Sequence, residues 1–209
     1  MSSKLYAITD SQLLPGDKLF YAVAAALTGG CKLVQYRDKS SDHARRLFEA
    51  KSLLALCKQH QAQLLINDDV SLAQEIGAHG VHLGQGDTNP VAARIILGSR
   101  AIIGVTCHDS LALAQQAIKD SANYIAFGRF FSSNTKPDAR PAPISLISDA
   151  RKAFGNTPIA VIGGITVDNG KQLLDAGADM LAVCHSLFAA DDIAAQAKKF
   201  IELSSKNQD

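Results

Sequence analysis

Eight times along this chain a short apolar run is followed by a stretch with helical spacing, and the alternation never breaks. The stretches at 5–10, 32–36, 64–66, 80–83, 102–105, 124–127, 159–162 and 180–183 carry little polar alternation, as expected of strands covered on both faces in a parallel sheet. Parallel neighbours need a crossover, and the helical stretches at 18–28, 42–60, 70–76, 90–97, 110–119, 144–154, 167–175 and 193–203 supply one after each strand. Eight such units predict an α/β fold, a single-domain (β/α)8 TIM barrel occupying the whole of 1–209, with polar residues 204–209 as a disordered tail. With 47% hydrophobic residues the chain can fill the core that such a barrel needs.

Composition narrows the partners. Twenty-one Lys plus Arg against twenty Asp plus Glu leave a net charge of +1, so no bulk field draws nucleic acid or an anionic membrane, and any anionic ligand must be held locally. Small molecules are therefore the expected ligands, and the sequence leaves a homo-oligomer open. Cys31, Cys57, Cys107 and Cys184 form no Cys-x-x-Cys pair, which argues against a zinc site or a redox motif and for reduced, mostly buried thiols. Met1-Ser2-Ser3-Lys4 leads straight into an apolar strand without the pattern of a secretory signal, and no apolar run reaches the roughly 18–20 residues of a membrane span. A cytoplasmic protein is expected.

In a barrel of this kind chemistry gathers at the carboxyl ends of the strands. Leu64-Leu65-Ile66 delivers Asn67, Asp68 and Asp69 to that rim, and 81–83 delivers Asp87 one strand later, after Gly84-Gln85-Gly86. Two carboxylates on neighbouring strand ends repel unless a cation or a basic group lies between them, and hard oxygen ligands suit magnesium. Asp68 and Asp87 are thus the candidate metal ligands, while Asp69 is placed to cap the following helix. Gln35, Arg37 and Lys39 alternate after the second strand and could face a diphosphate together. His82, within its strand, is expected to pack in the interior, and His108 and Asp109 to begin a helix. Thr106 follows the fifth strand with a hydroxyl suited to a phosphate oxygen. The loop after the sixth strand carries Ser133, Asn134, Thr135 and the cation Lys136, with Phe130 and Phe131 as apolar anchors, and resembles a cover over a site. Gly163-Gly164 before a helix offers backbone N–H groups to a phosphate, and Cys184-His185-Ser186 at the eighth strand offers the facing half of that pocket.

With these residues assembled, the chain resembles the thiamine phosphate synthase family over essentially its full length. The resemblance lies in Leu-Tyr-Ala-Ile-Thr-Asp at 5–10, Gln35-Tyr36-Arg37-Asp38-Lys39, Ile66-Asn67-Asp68, His82-Leu83-Gly84-Gln85-Gly86-Asp87, Gly104-Val105-Thr106-Cys107-His108, Thr135-Lys136 and Ile162-Gly163-Gly164-Ile165. It implies a magnesium-dependent transferase that joins 4-amino-2-methyl-5-(hydroxymethyl)pyrimidine diphosphate to a thiazole phosphate and releases pyrophosphate. Carried over by position, Gln35, Tyr36, Arg37, Asp38, Lys39, Asn67, Thr106 and Lys136 would hold the pyrimidine diphosphate, with Arg37, Lys39 and Lys136 assisting its departure. Asp68 and Asp87 would bind magnesium; Ser133, Asn134, Thr135, Gly164, Cys184 and His185 would surround the thiazole phosphate. Arg129 stands where the family often has proline, Ser132-Ser133 replaces Pro-Thr, Thr106 replaces serine, and His185 replaces a small hydroxyl residue. Two rivals are a barrel that isomerises the thiazole, which the clamp of Arg37, Lys39, Asp68, Asp87 and Lys136 disfavours, and a non-catalytic binder of thiamine phosphates, which would keep the pocket without the metal pair.

Overall fold

A computed structural model describes residues 4–131 and 141–203. The described chain runs β1 (Leu5–Ile8), α1 (Lys18–Thr28), β2 (Leu33–Tyr36), α2 (His43–Gln59), β3 (Gln63–Asn67), α3 (Val70–Ile76), β4 (Gly80–Leu83) and α4 (Pro90–Leu97). It continues through β5 (Ile102–Thr106), α5 (Leu111–Lys119), β6 (Tyr124–Gly128), α6 (Ser145–Phe154), β7 (Ile159–Ile162), α7 (Val167–Asp175), β8 (Met180–Val183), α8 (His185–Phe188) and α9 (Ile193–Glu202). The eight strands pair in sequence order, all parallel, and β8 returns to β1 with Leu5 opposite Leu181 and Ala7 opposite Val183. Closure leaves no sheet edge unpaired. The α8 turn is an addition to the expected order, a single turn on the rim directly after β8.

Strand geometry decides which residues reach the site. Side chains alternate across a strand, so in a closed barrel one parity points into the lumen and the other into the layer beneath the helices. Leu64 and Ile66 pack outward and Leu65 inward; Leu5 and Ala7 outward, Tyr6 and Ile8 inward; Ile125 and Phe127 outward, Tyr124 and Ala126 inward. Both sets are buried, which is why the strands read as continuous apolar runs. Burying each large aliphatic side chain contributes about 1.5–3 kcal/mol. Helix starts are fixed by side-chain caps: Asp42 accepts from the Arg45 N–H, Asp69 from Leu72, Ser110 from Leu113 and Asp192 from Ala195, while Asn89 caps α4 just before Pro90. The capping role of Asp69 is therefore as the sequence indicated.

One close approach shapes the lumen. His82, Gly104 and Tyr124 lie in lateral register on β4, β5 and β6. A Cβ on Gly104 would overlap the Tyr124 ring. Its absence lets that ring cross the middle strand and stack on His82, with centroids 5.6 Å apart and an interplanar angle of 24°. Gly104→Ala should therefore lower stability by about 1–3 kcal/mol through overpacking, measured as a shift of the denaturation midpoint. A midpoint equal to that of the parent would show that the ring has other room.

Candidate active site at the barrel mouth

β3 ends in a tight turn. The Asp69 N–H donates to the Asn67 carbonyl at 2.7 Å, and between them Asp68 sits at φ +61°, a left-handed conformation that aspartate tolerates better than most residues. The Asp68 N–H donates to the His82 carbonyl at 2.8 Å, so the turn is anchored on β4. Asn67 Nδ2 donates to Asp68 Oδ2 at 2.6 Å, and Lys39 Nζ lies 3.0 Å from the same oxygen. One strand over, the Gly84 N–H donates to Asp87 Oδ2 at 2.7 Å. The two carboxyls converge. Partial desolvation, with the Asp68 carboxyl in hydrogen-bonding reach, raises Asp87 above the ordinary aspartate range, against the opposing pull of the Gly84 N–H and Lys39.

Such a pair suits a hard divalent cation. Its donors are all oxygen, Asp87 is exposed, and among the described residues no third His, Cys, Asp or Glu joins them to complete a protein cage. Most of the coordination shell would then fall to water and substrate oxygens, the pattern expected of magnesium rather than zinc. An open cleft of about 440 Å³ adjoins Asp68 on the β3 side of the pair, bounded by Lys39, Ser40, Arg46, Asn67, Asp68 and Thr88.

The segment after β2 divides by parity. Gln35 points into the lumen, Arg37 leans toward β1 with Nη1 3.5 Å from Asp10 Oδ2, and Lys39 leans toward Asp68. The Arg37 N–H is itself fixed by the buried Thr9 hydroxyl at 2.9 Å. Tyr36 and Asp38 differ from the sequence expectation: their side chains turn away from the mouth. The buried Tyr36 hydroxyl donates to Glu49 at 2.6 Å in the layer under α2, and burial together with that carboxylate raises its pKa. Asp38, with a side chain only 1% exposed, accepts from the Ser40 N–H and from Arg45 Nη2, both at 2.7 Å. Both brace the loop that carries Arg37 and Lys39.

Across the mouth, Gly163 and Gly164 have φ values of +105° and +62°, which turn the chain sharply before α7. Thr166 and Asn169 form a capping box, and Asn169 Nδ2 also donates to the Gly164 carbonyl at 3.0 Å. The Ser186 hydroxyl ties this turn to the start of α8 by donating to the Ile165 carbonyl. Cys184 is half-buried and His185 exposed. Burial pushes the Cys184 thiol up to about 11, with Asp10 adding and Arg37 opposing, so it is protonated near neutrality. Cys31, Cys57 and Cys107 are buried and unbridged. Phe130 and Phe131 anchor the chain after β6, donating their N–H groups to Ile162 and Gly163, and the Ala142 N–H returns to the Arg129 carbonyl. Ser133, Asn134, Thr135 and Lys136 lie outside the described residues.

Sequence reasoning passed over two groups at this mouth. Asp10 follows an apolar run just as Asp68 does, and that position was its signal. Tyr6 and Tyr124 were hidden inside apolar runs, where only their shared inward parity with Gln35 and His82 could mark them. Both enter a polar network in the lumen. His82 Nδ1 is 2.7 Å from the Tyr124 hydroxyl and its Nε2 is 2.8 Å from the Thr106 hydroxyl, so Thr106 is held from below. Burial lowers the His82 pKa to about 4, the nearby Asp87 offsetting only part of this.

A closed parallel barrel that presents paired carboxylates and cations at its carboxyl-end rim defines a class of enzyme acting on phosphorylated small molecules. Comparison with known proteins makes the assignment specific. The family model described as thiamine monophosphate synthase matches residues 5–187. A thiamine-phosphate synthase of Saccharophagus degradans is 52% identical over 206 residues, 98% of this chain and 94% of its own. A thiamine phosphate pyrophosphorylase of Pyrococcus furiosus superposes with a TM-score of 0.86 at 29% identity, covering 97% of this chain and 95% of its own. A thiamine phosphate pyrophosphorylase from Bacteroides thetaiotaomicron, at 16% identity and a TM-score of 0.69, shares the fold over 99% of this chain and 100% of its own. The chain belongs to the thiamine monophosphate synthase family, and its activity is that of a transferase making thiamine phosphate.

The depressed His82 pKa has a thermodynamic consequence. An imidazole whose folded pKa lies near 4, below the ordinary value of 6.5, adds stability above pH 6.5 that is lost as pH falls through the folded value. Between those limits the parent should lose about 2–3 kcal/mol more than His82→Gln, read from denaturant unfolding at several pH values. Parallel pH curves would mean that His82 titrates normally.

Proposed function

We propose that this mouth binds 4-amino-2-methyl-5-(hydroxymethyl)pyrimidine diphosphate and a thiazole phosphate, and that Asp68 and Asp87 hold magnesium against the diphosphate. The observation that carries this proposal is the convergence of the two carboxyls from β3 and β4 beside Lys39. Magnesium bound there supplies a Lewis acid for the negative charge that grows on the departing diphosphate. Lys39, whose side chain is 62% exposed, can exchange Asp68 for a phosphate oxygen, and Arg37, held over β1 by Asp10, approaches from the other side. Together with Lys136, which lies outside the described residues, these cations stabilise the leaving group as its bond to the pyrimidine methylene lengthens.

The nucleophile in this scheme is the lone pair of the thiazole nitrogen, which captures the pyrimidine carbocation directly. No side chain need attack, and the protonated Cys184 agrees with that. No base is needed either. The half-buried His82 imidazole has both nitrogens engaged, which also disfavours a thiazole-isomerising enzyme that would need a free acid or base. Acceleration then comes from positioning and from charge stabilisation. Asn67, Thr106 and Gln35 orient the pyrimidine diphosphate; Gly164, Cys184 and His185, with Ser133, Asn134 and Thr135, surround the thiazole phosphate; Tyr36 and Asp38 contribute as braces. Small-molecule substrates and a cytoplasmic setting complete the proposal, supported by the near-zero net charge and by the absence, among the described residues, of a helix long and apolar enough to cross a membrane.

Asp87→Ala should keep its fold and lose about 10²–10³-fold in kcat/KM, and the parent enzyme should stop in excess chelator and recover when magnesium is restored. Undiminished turnover in both conditions would overturn the metal assignment. By contrast Asp69→Ala, which removes the α3 cap, should cost about 1–2 kcal/mol of stability while turnover stays near the parent value. A large drop in turnover without loss of stability would place Asp69 in the chemistry instead.

A further inference from the structure

The lumen beneath the mouth holds a continuous chain of polar side chains contributed by five strands. Gln35 Nε2 on β2 donates to the Tyr6 hydroxyl on β1 at 2.5 Å; the Tyr6 and Tyr124 hydroxyl oxygens are 2.8 Å apart. From Tyr124 on β6 the chain passes to His82 Nδ1 on β4 at 2.7 Å, and from His82 Nε2 to the Thr106 hydroxyl on β5 at 2.8 Å. Gln35, Tyr6 and Tyr124 are at most 2% exposed, so these groups are shielded from bulk solvent and depend on partners in the interior. Gln35 at one end and Thr106 at the other are both among the residues assigned above to the proposed pyrimidine diphosphate.

Hydrogen-bond direction propagates along such a chain. With Gln35 donating to it, the Tyr6 oxygen must place its own proton on the remaining partner, Tyr124. Tyr124 then passes its proton to His82 Nδ1. A neutral imidazole has one N–H, so His82 carries it on Nε2 and donates to Thr106, whose own hydroxyl proton is left for the rim. Every donor is thereby fixed by the first one. The Asp68 N–H donates to the His82 carbonyl at 2.8 Å, so the central residue of the chain also seats the metal-side turn.

We propose that Tyr6, Tyr124 and His82 are positioning residues forming a one-way relay, which holds the Gln35 side-chain carbonyl as an acceptor and the Thr106 hydroxyl as a donor. Resting on the proposed binding of the pyrimidine diphosphate, the relay matches two features of that substrate: its ring amine, which needs an acceptor, and its phosphate oxygens, which need a donor. The same polarity rejects a ring that bears an oxo group in place of the amine. Seating that ring would require turning Gln35 and reversing every bond up to Thr106, which would then present a lone pair to the phosphate. Ring recognition and diphosphate recognition are in this way one structural variable.

The test uses the full-length enzyme, the amino substrate and its 4-oxo analogue. In Tyr124→Phe the ring and its stacking remain but the relay is cut, and the kcat/KM preference for the amino substrate should fall by about tenfold or more, partly through improved use of the oxo analogue. Tyr6→Phe should do the same and stands in if the first variant fails to fold. An unchanged preference, or an equal loss on both substrates, would mean a merely structural role and overturn the proposal. Nitrogen NMR of the substrate-free parent should find His82 as the Nε2–H tautomer; the Nδ1–H form reverses the direction and also overturns it. Because that measurement needs no substrate, it separates failure of the relay from failure of the proposed substrate assignment, which would show instead as a parent enzyme forming no thiamine phosphate.

Discussion

Everything at the mouth depends on the inward and outward parity imposed when eight parallel strands close on themselves. Closure through β1 and β8 fixes the register of each strand, and register fixes which of two neighbouring residues reaches the lumen. Gln35 enters while Tyr36 is sent under α2; Leu65 enters while Leu64 and Ile66 fill the outer core. A slip of one residue in β2 would put Tyr36 into the lumen and Gln35 among the helices, leaving a buried amide without partners. The apolar layer and the polar lumen are therefore two consequences of one geometric rule.

At the top of the barrel the rule gives way to turns, and electrostatics takes over. Asp68 is held in a left-handed turn by bonds to Asn67 and His82, and Asp87 is set by the Gly84 N–H, so the two acids face each other because backbone groups hold them there. Their mutual repulsion is only partly relieved by Lys39. A site that keeps like charges together in this way is poised for a cation, and the surrounding cations Arg37 and Lys39 are poised for an anion. Under the proposed function, a diphosphate together with its metal would satisfy both at once.

Much of this was legible in the chain itself. The eight-fold alternation specified the barrel because each apolar run lacked the polar alternation of a one-sided sheet, and Asp69 could be recognised as a cap from its place just before Val70. That Asp68 and Asp87 would come close together was legible because both follow neighbouring strands that end at the same rim. Tyr36 and Asp38 were not separable from their neighbours, since adjacency in a motif says nothing about which side chain turns toward the ligand; that depends on Glu49 and Arg45 in the next helix. Tyr6 and Tyr124 escaped notice because tyrosine in an apolar run looks like core, and their hydroxyls meet only after β1 and β6 are brought across the lumen. The single turn α8 follows from Ser186 and Cys184 bonds local to the rim, too short to leave a periodic signal.

The vacant Cβ position at Gly104 carries a consequence for how this barrel can diverge. Because the Tyr124 ring occupies the space a side chain on β5 would need, substitutions at the two positions are epistatic: a larger residue at 104 becomes acceptable only once the ring at 124 has shrunk, and a small residue at 124 opens a hole unless 104 grows to fill it. Lineages that exchange one for the other would keep the barrel's packing volume while losing the stacked ring and the hydroxyl that meets His82. Drift in the interior of this fold is thus expected in coordinated pairs across adjacent strands, with the lumen's chemistry changing only when its steric partner changes too.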